Sequence, residues 1–189
     1  MFRRVSSLIL IVATLLGAMP MPTPKEQCED LLDAVLPMAK KLLKDHGEFF
    51  PFGATLKADG QVASVMAYDG KDKPPSQPLI DQLRNGFRAD ASNHAILASA
   101  LVYDVRVVPP GTSTKTDAIA VELDHKDNYS VVVFFPYRIH DGSVDVQEPF
   151  SNQGEGRIFA GVGSQPTVRA DARGIFVGSG RETREDKVP

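Results

Sequence analysis

Tryptophan is absent from this 189-residue chain, and aromatic residues make up only 7% of it. A carbohydrate platform, or a groove that stacks the bases of a single strand, needs more aromatic surface than that. Charge of one sign is also missing. Lys and Arg number 21, Asp and Glu 24, and the formal net charge is −3. With no basic cluster, the chain has no electrostatic footprint for nucleic acid, and none is expected as a partner.

Cysteine occurs once, as Cys28. A single thiol forms no internal disulfide, so the domain must rest on burial and hydrogen bonds. An intermolecular bridge, a redox thiol or a lipid attachment point would be the functional readings. The run Pro24-Lys25-Glu26-Gln27 lacks the small residue that lipidation requires before the cysteine. The expected role is a small apolar contact at a helix start.

Recognisable reaction motifs are missing too. The histidines are His46, His94, His125 and His140, with no closely spaced pair on one element and no Cys pair beside them. No metal and no cofactor are expected from that pattern. No serine lies in a Gly-x-Ser-x-Gly elbow. No glycine-rich turn lies between a strand and a helix to cradle phosphate.

What is present begins with Met1-Phe2-Arg3-Arg4 and the apolar run from Leu8 to Ala18, stopped by Pro20 and Pro22. A positive start, a short apolar core and a proline stop describe a signal peptide over residues 1–22, cut near Gly17 or Ala18. Leu15 or Leu16 falls where a small residue is preferred, so an uncleaved N-terminal anchor remains the alternative. Either way the expected location is outside the cytoplasm: periplasmic or secreted, or membrane-anchored by residues 1–22 alone.

Residues 25–160 then read as one α+β domain, a size that sustains a single core. Leu31, Leu32, Val35, Ala39, Leu42 and Leu43 make one apolar stripe, predicting a helix over 25–46 with Gly47 as its cap and a kink or a division into two parts at Pro37. Two short apolar runs flank Asp59-Gly60, predicting a hairpin with a type I′ turn. Leu79, Ile80, Leu83 and Phe87 predict a second helix over 77–91, capped by Ser76. From Ile96 the period becomes two. Strands follow at 101–107, 117–125, 129–137 and 144–148, and a short edge strand at 154–160. Residues 130–135 are apolar on both faces, which predicts a central strand or one covered by a helix. Residues 161–189 lose periodicity and read as a flexible polar tail with one apolar island, Ile175-Phe176-Val177.

The order is α-β-β-α-β-β-β-β. The expected architecture is an antiparallel meander of five to six strands with two helices packed on one face. At Glu48-Phe49-Phe50-Pro51-Phe52-Gly53-Ala54, Tyr103-Asp104-Val105-Arg106-Val107, Leu123-Asp124-His125 and Phe135-Pro136-Tyr137 the chain resembles small exported bacterial α+β proteins of unknown function. The resemblance covers about residues 30–160. It implies a single domain and brings no activity or site residues.

Three groups are candidates for function. His125 lies beside Glu122, Asp124 and Asp127, the nearest approach to an acid–base constellation. By strand alternation, however, His125 continues the face of Leu123, away from Glu122 and Asp124. Glu155 and Arg157, set among glycines, suit either a polar ligand or a surface ion pair. Phe49, Phe50 and Phe52 form either a core plug or an exposed patch for a partner. The function these features favour is a non-enzymatic binding or interaction protein, inhibitor-, immunity- or sensor-like, whose partner is an envelope or extracellular protein. The alternative is a small exported hydrolase using the acidic and histidine cluster at 122–127.

Overall fold

Thr23 opens the first helix, α1 (Pro24–His46). Its hydroxyl accepts from the Glu26 backbone N–H at 3.2 Å, while its own N–H donates to the Glu26 carboxylate at 2.7 Å. This reciprocal box satisfies two donors that a helix start leaves free, and Pro24 suits the first turn because it has no N–H to lose. Gly47 closes the helix with its N–H on the Leu43 carbonyl at 2.8 Å. Cys28, Leu31, Val35, Ala39 and Leu43 are buried along one stripe. Each larger member contributes roughly 2 kcal/mol of transfer free energy.

A computed structural model describes residues 21–67, 70 and 75–162. Residues 1–20, which hold most of the segment expected to direct export, and residues 163–189, with Ile175-Phe176-Val177, lie outside the described residues. Among those described, no helix is long and apolar enough to cross a membrane.

Strands β1 (Phe52–Lys57) and β2 (Val62–Met66) form the expected hairpin, from Phe52↔Met66 to Leu56↔Val62. Its turn differs from the type I′ expectation. Of Asp59 and Gly60 only Gly60 has positive φ, at 82°. The Gly60 N–H returns to the Lys57 carbonyl at 3.0 Å, and the Lys57 N–H reaches Gln61 at 2.9 Å. That is a three-residue loop whose left-handed glycine forms a bulge, a geometry that needs one positive φ instead of two.

Helix α2 (Ser76–Ser92) follows, one residue longer than expected at each end. Ser76 falls inside it, and Pro75 precedes it without a side-chain cap. Then come β3 (Ile96–Val107), β4 (Thr116–His125), β5 (Tyr129–His140), β6 (Ser143–Val146) and β7 (Phe150–Gln153). All pairings are antiparallel in one seven-stranded sheet, ordered β2-β1-β3-β4-β5-β6 with β7 also on β5. The class is α+β, and the helix and strand order is the expected one with β7 added.

Three details depart from the expectation. The meander holds from β3 to β6, but β1 inserts between β2 and β3, so α2 carries the chain across β1. The edge strand is β7, and residues 157–161 form a turn. Most consequentially, the helices lie on opposite faces. Ala98, Ala100 and Val102 of β3 meet the α1 stripe, whereas Leu101 meets Leu83 and Phe87 of α2. The reason is two-sided burial. β3 and β4 occupy the middle of the sheet, and both of their faces need a cover. One helix per face supplies it. Residues 130–135 lie on the interior strand β5, where Val131 and Val133 pack against the α1 cluster.

Candidate functional site

The alternation of β4 separates the candidate residues. Leu123 and His125 face α1, and Glu122 and Asp124 face α2. His125 is buried at the strand end. Its Nδ1 accepts from the Asp127 backbone N–H at 3.0 Å, and its Nε2 lies 2.7 Å from Gln27 Oε1 on α1. Burial holds its pKa below the ordinary histidine value, with Lys126 adding to the effect and Asp127 opposing it. Both nitrogens are engaged, so the ring has no free edge for a substrate.

On the α2 face, Glu122 receives Arg84 Nη2 at 2.6 Å and the Tyr103 hydroxyl at 2.8 Å. Desolvation by burial, then the Glu122 charge, raises the Tyr103 pKa well above the phenolic value. Asp124, almost fully buried, accepts from the Ser130 hydroxyl and from the Ile158 backbone N–H at 3.1 Å. Ser130 Oγ in turn accepts from the Gly156 N–H at 3.0 Å. Hence Asp124 and Ser130 fasten the segment after β7, which seats Ile158 and Phe159 against Leu83 and Phe87. The cleft beside them measures only about 80 Å³, enough for a few waters.

Glu155 and Arg157 pair with each other at 2.6 Å on the surface. Such an exposed pair contributes under ~1 kcal/mol. Phe49 and Phe52 are buried and meet edge to face at 5.9 Å, while Phe50 between them is exposed. The aromatic triplet is therefore divided between core plug and surface. Cys28 is buried on the inner face of α1, and desolvation pushes its thiol up to about 12, which suits a packing role over a reactive one. Among the described residues, no three His, Cys, Asp or Glu side chains gather as a metal-holding group.

A larger concavity, which the sequence reading did not find, opens beside the C-terminal end of α1. This open trough of about 650 Å³ is lined by Asp104, Arg106, Lys115, Asp117, Tyr137 and Arg138 among others. Arg106 and Asp117, partners across β3 and β4, pair at 3.1 Å. The Tyr137 hydroxyl donates to Asp104 at 3.1 Å. Burial lifts the Asp104 carboxyl above the usual carboxylate range and the Tyr137 phenol above its own. The trough presents both signs of charge, a lining suited to holding a polar partner by ion pairs and hydrogen bonds.

Sequence reasoning also missed Arg84, Tyr103, Ser130 and Gln27. Arg84 had a legible signal, being a cation inside the stripe of Ile80, Leu83 and Phe87 that requires an acid opposite it. Gln27 had none, because its partner is fixed by the packing of α1 alone. No protein-family model, curated protein or solved structure matches this chain.

Proposed function

We propose that this chain is a non-enzymatic binding or interaction domain that acts outside the cytoplasm, inhibitor-, immunity- or sensor-like, on an envelope or extracellular protein. One observation carries the reading. The sheet itself separates His125 from Glu122 and Asp124, and each of the three is occupied in holding the fold. Hydrolysis by those residues needs a base, an acid and a substrate atom to converge in one concavity. The mixed-charge trough at Arg106, Lys115 and Arg138 supports recognition instead.

Capture of partners from the envelope of the cell that makes the chain, with mass spectrometry and reciprocal capture, tests this reading. The expected result is a protein retained by the wild type and lost when Lys115→Glu and Arg138→Glu are combined. Turnover of an ester, phosphoester or glycoside substrate, abolished by Asp124→Asn or His125→Ala at unchanged melting temperature, would replace the binding reading with a hydrolase.

A further inference from the structure

The two edges of the sheet are treated differently. One side ends on β5, which β6 and β7 cover in halves of four residues each. β6 carries Asp145, and Pro149 precedes the polar Ser151-Asn152-Gln153 of β7. Charge, proline and short length are the devices that blunt an edge against pairing. Among the described residues the other side ends on β2, Val62-Ala63-Ser64-Val65-Met66, which has no charge, no proline and no break in its register with β1.

The hairpin fixes which backbone groups of β2 are free. Because the Lys57 N–H bonds the Gln61 carbonyl, alternation assigns the ladder bonds to Thr55↔Ala63 and Gly53↔Val65. Val62, Ser64 and Met66 therefore turn their N–H and C=O groups to the open edge. Their side chains share the α1 face of the sheet, but they are exposed: 42% for Val62 and 69% for Met66. Phe50, two residues before the partner of Met66, is 43% exposed. Two of the six exposed large apolar side chains among the described residues thus lie on this five-residue strand.

We propose that the free edge of β2 pairs with β2 of a second copy of this chain, antiparallel and centred on Ser64. This register sets Val62 opposite Met66 and Ser64 opposite itself, so every outward N–H and C=O of the strand gains a partner. It opposes no like charges, because the strand has none. The exposed Val62 and Met66 cover each other on one face, and the half-buried Ala63 and Val65 do so on the other. A two-fold axis closes the assembly at two copies, because each copy uses its one unguarded edge. A five-residue strand buries less than the roughly 1,200 Å² of a standard stable complex. The dimer is accordingly weak and depends on concentration.

Sedimentation equilibrium of the full chain over a concentration series tests the pairing. A monomer–dimer equilibrium is expected, abolished by Ser64→Pro and by Ser64→Lys. Proline at 64 removes an outward donor and leaves the ladder to β1 intact, so the melting temperature should stay near wild type. Ala63→Pro cuts that ladder and should lower it. Ser64→Cys should link two copies by a disulfide at the axis faster than an exposed loop control, Ser113→Cys. A monomer at every concentration overturns the proposal, as does association that survives both Ser64 variants, which would place the contact elsewhere, in residues 1–22 for example. A full chain that stays monomeric while a chain ending at Val162 dimerises would assign the edge to residues 163–189 and overturn it equally.

Discussion

His125 and Gln27 stand 98 residues apart in the chain and 2.7 Å apart in space, Nε2 to Oε1. The Asp127 backbone N–H, 3.0 Å from Nδ1, can only donate. Nδ1 must therefore accept, and Nε2 must carry the ring proton and donate it to Gln27. One hydrogen bond thus ties the end of β4 to the first turn of α1. The capping box at Thr23 fixes that turn from the other side.

Removing either end of this tie should destabilise the fold. His125→Ala should cost about 2 kcal/mol in chemical denaturation, since it opens a small void and strands Gln27. Gln27→Ala should cost less, because solvent reaches the helix start more easily. The double variant should cost clearly less than the sum, which a double-mutant cycle measures. Strict additivity would show that the contact carries no energy.

The same histidine sets a pH dependence with a definite sign. Burial depresses its folded pKa below the ordinary value. The unfolded chain consequently binds the proton first as pH falls, and the neutral ring is the form the fold holds. Its contribution is complete above the unfolded pKa of about 6.5 and is lost as pH drops from there through the folded value. Carboxylates add their own slope at lower pH, so the comparison is with His125→Gln. That variant should lose less stability than wild type between about pH 7 and pH 5.

Export is tested independently of the domain. Arg3-Arg4, the run Leu8 to Ala18 and the prolines at 20 and 22 carry the expectation. Fractionation of a C-terminally tagged precursor should place the tag outside the inner membrane, on a shortened product if the segment is cleaved. Full-length protein confined to the cytoplasm would end this reading, and with it the choice of envelope partners.

Local chemistry made much of this fold legible. The α1 stripe, its Gly47 cap, the Asp59-Gly60 hairpin and the period-two strands β3 to β6 are all short-range patterns, and these elements stand where their patterns predict. The strand expected at 154–160 does not form, and β7 (Phe150–Gln153) takes the edge instead. The side of the sheet each helix covers is a long-range property. Ala98 and Ala100 are apolar yet small, so the sequence shows that this face is buried without showing that it admits a helix close to the backbone. The strand period told correctly that His125 turns from Glu122 and Asp124, but not that Gln27 would meet it. Arg84 was the missed opportunity, since a cation between Leu83 and Phe87 has to be matched.

The segment after β7 offers the sharpest test of Asp124 as a structural residue. A Cβ at Gly154 would lie 2.0 Å from Ser130 Oγ and 2.9 Å from the Val131 nitrogen. Ser130 cannot simply rotate away, because its hydroxyl donates to Asp124 and accepts from the Gly156 N–H. Gly154→Ala must therefore break that set or push the segment outward, unseating Ile158 and Phe159 from the α2 cluster. The expected loss is about 2–3 kcal/mol, with earlier proteolysis near residues 154–160. Asp124→Ala should do comparable damage by a different route, leaving the Ser130 hydroxyl and the Ile158 N–H without their acceptor at about 1–3 kcal/mol each. Ser130→Ala on its own removes one donor and should be milder. Combined with Gly154→Ala it should recover part of the loss, because the nearest clash is gone while the Val131 backbone remains. Absence of any recovery would show that the backbone approach to Val131, and not the Asp124–Ser130 staple, demands the glycine.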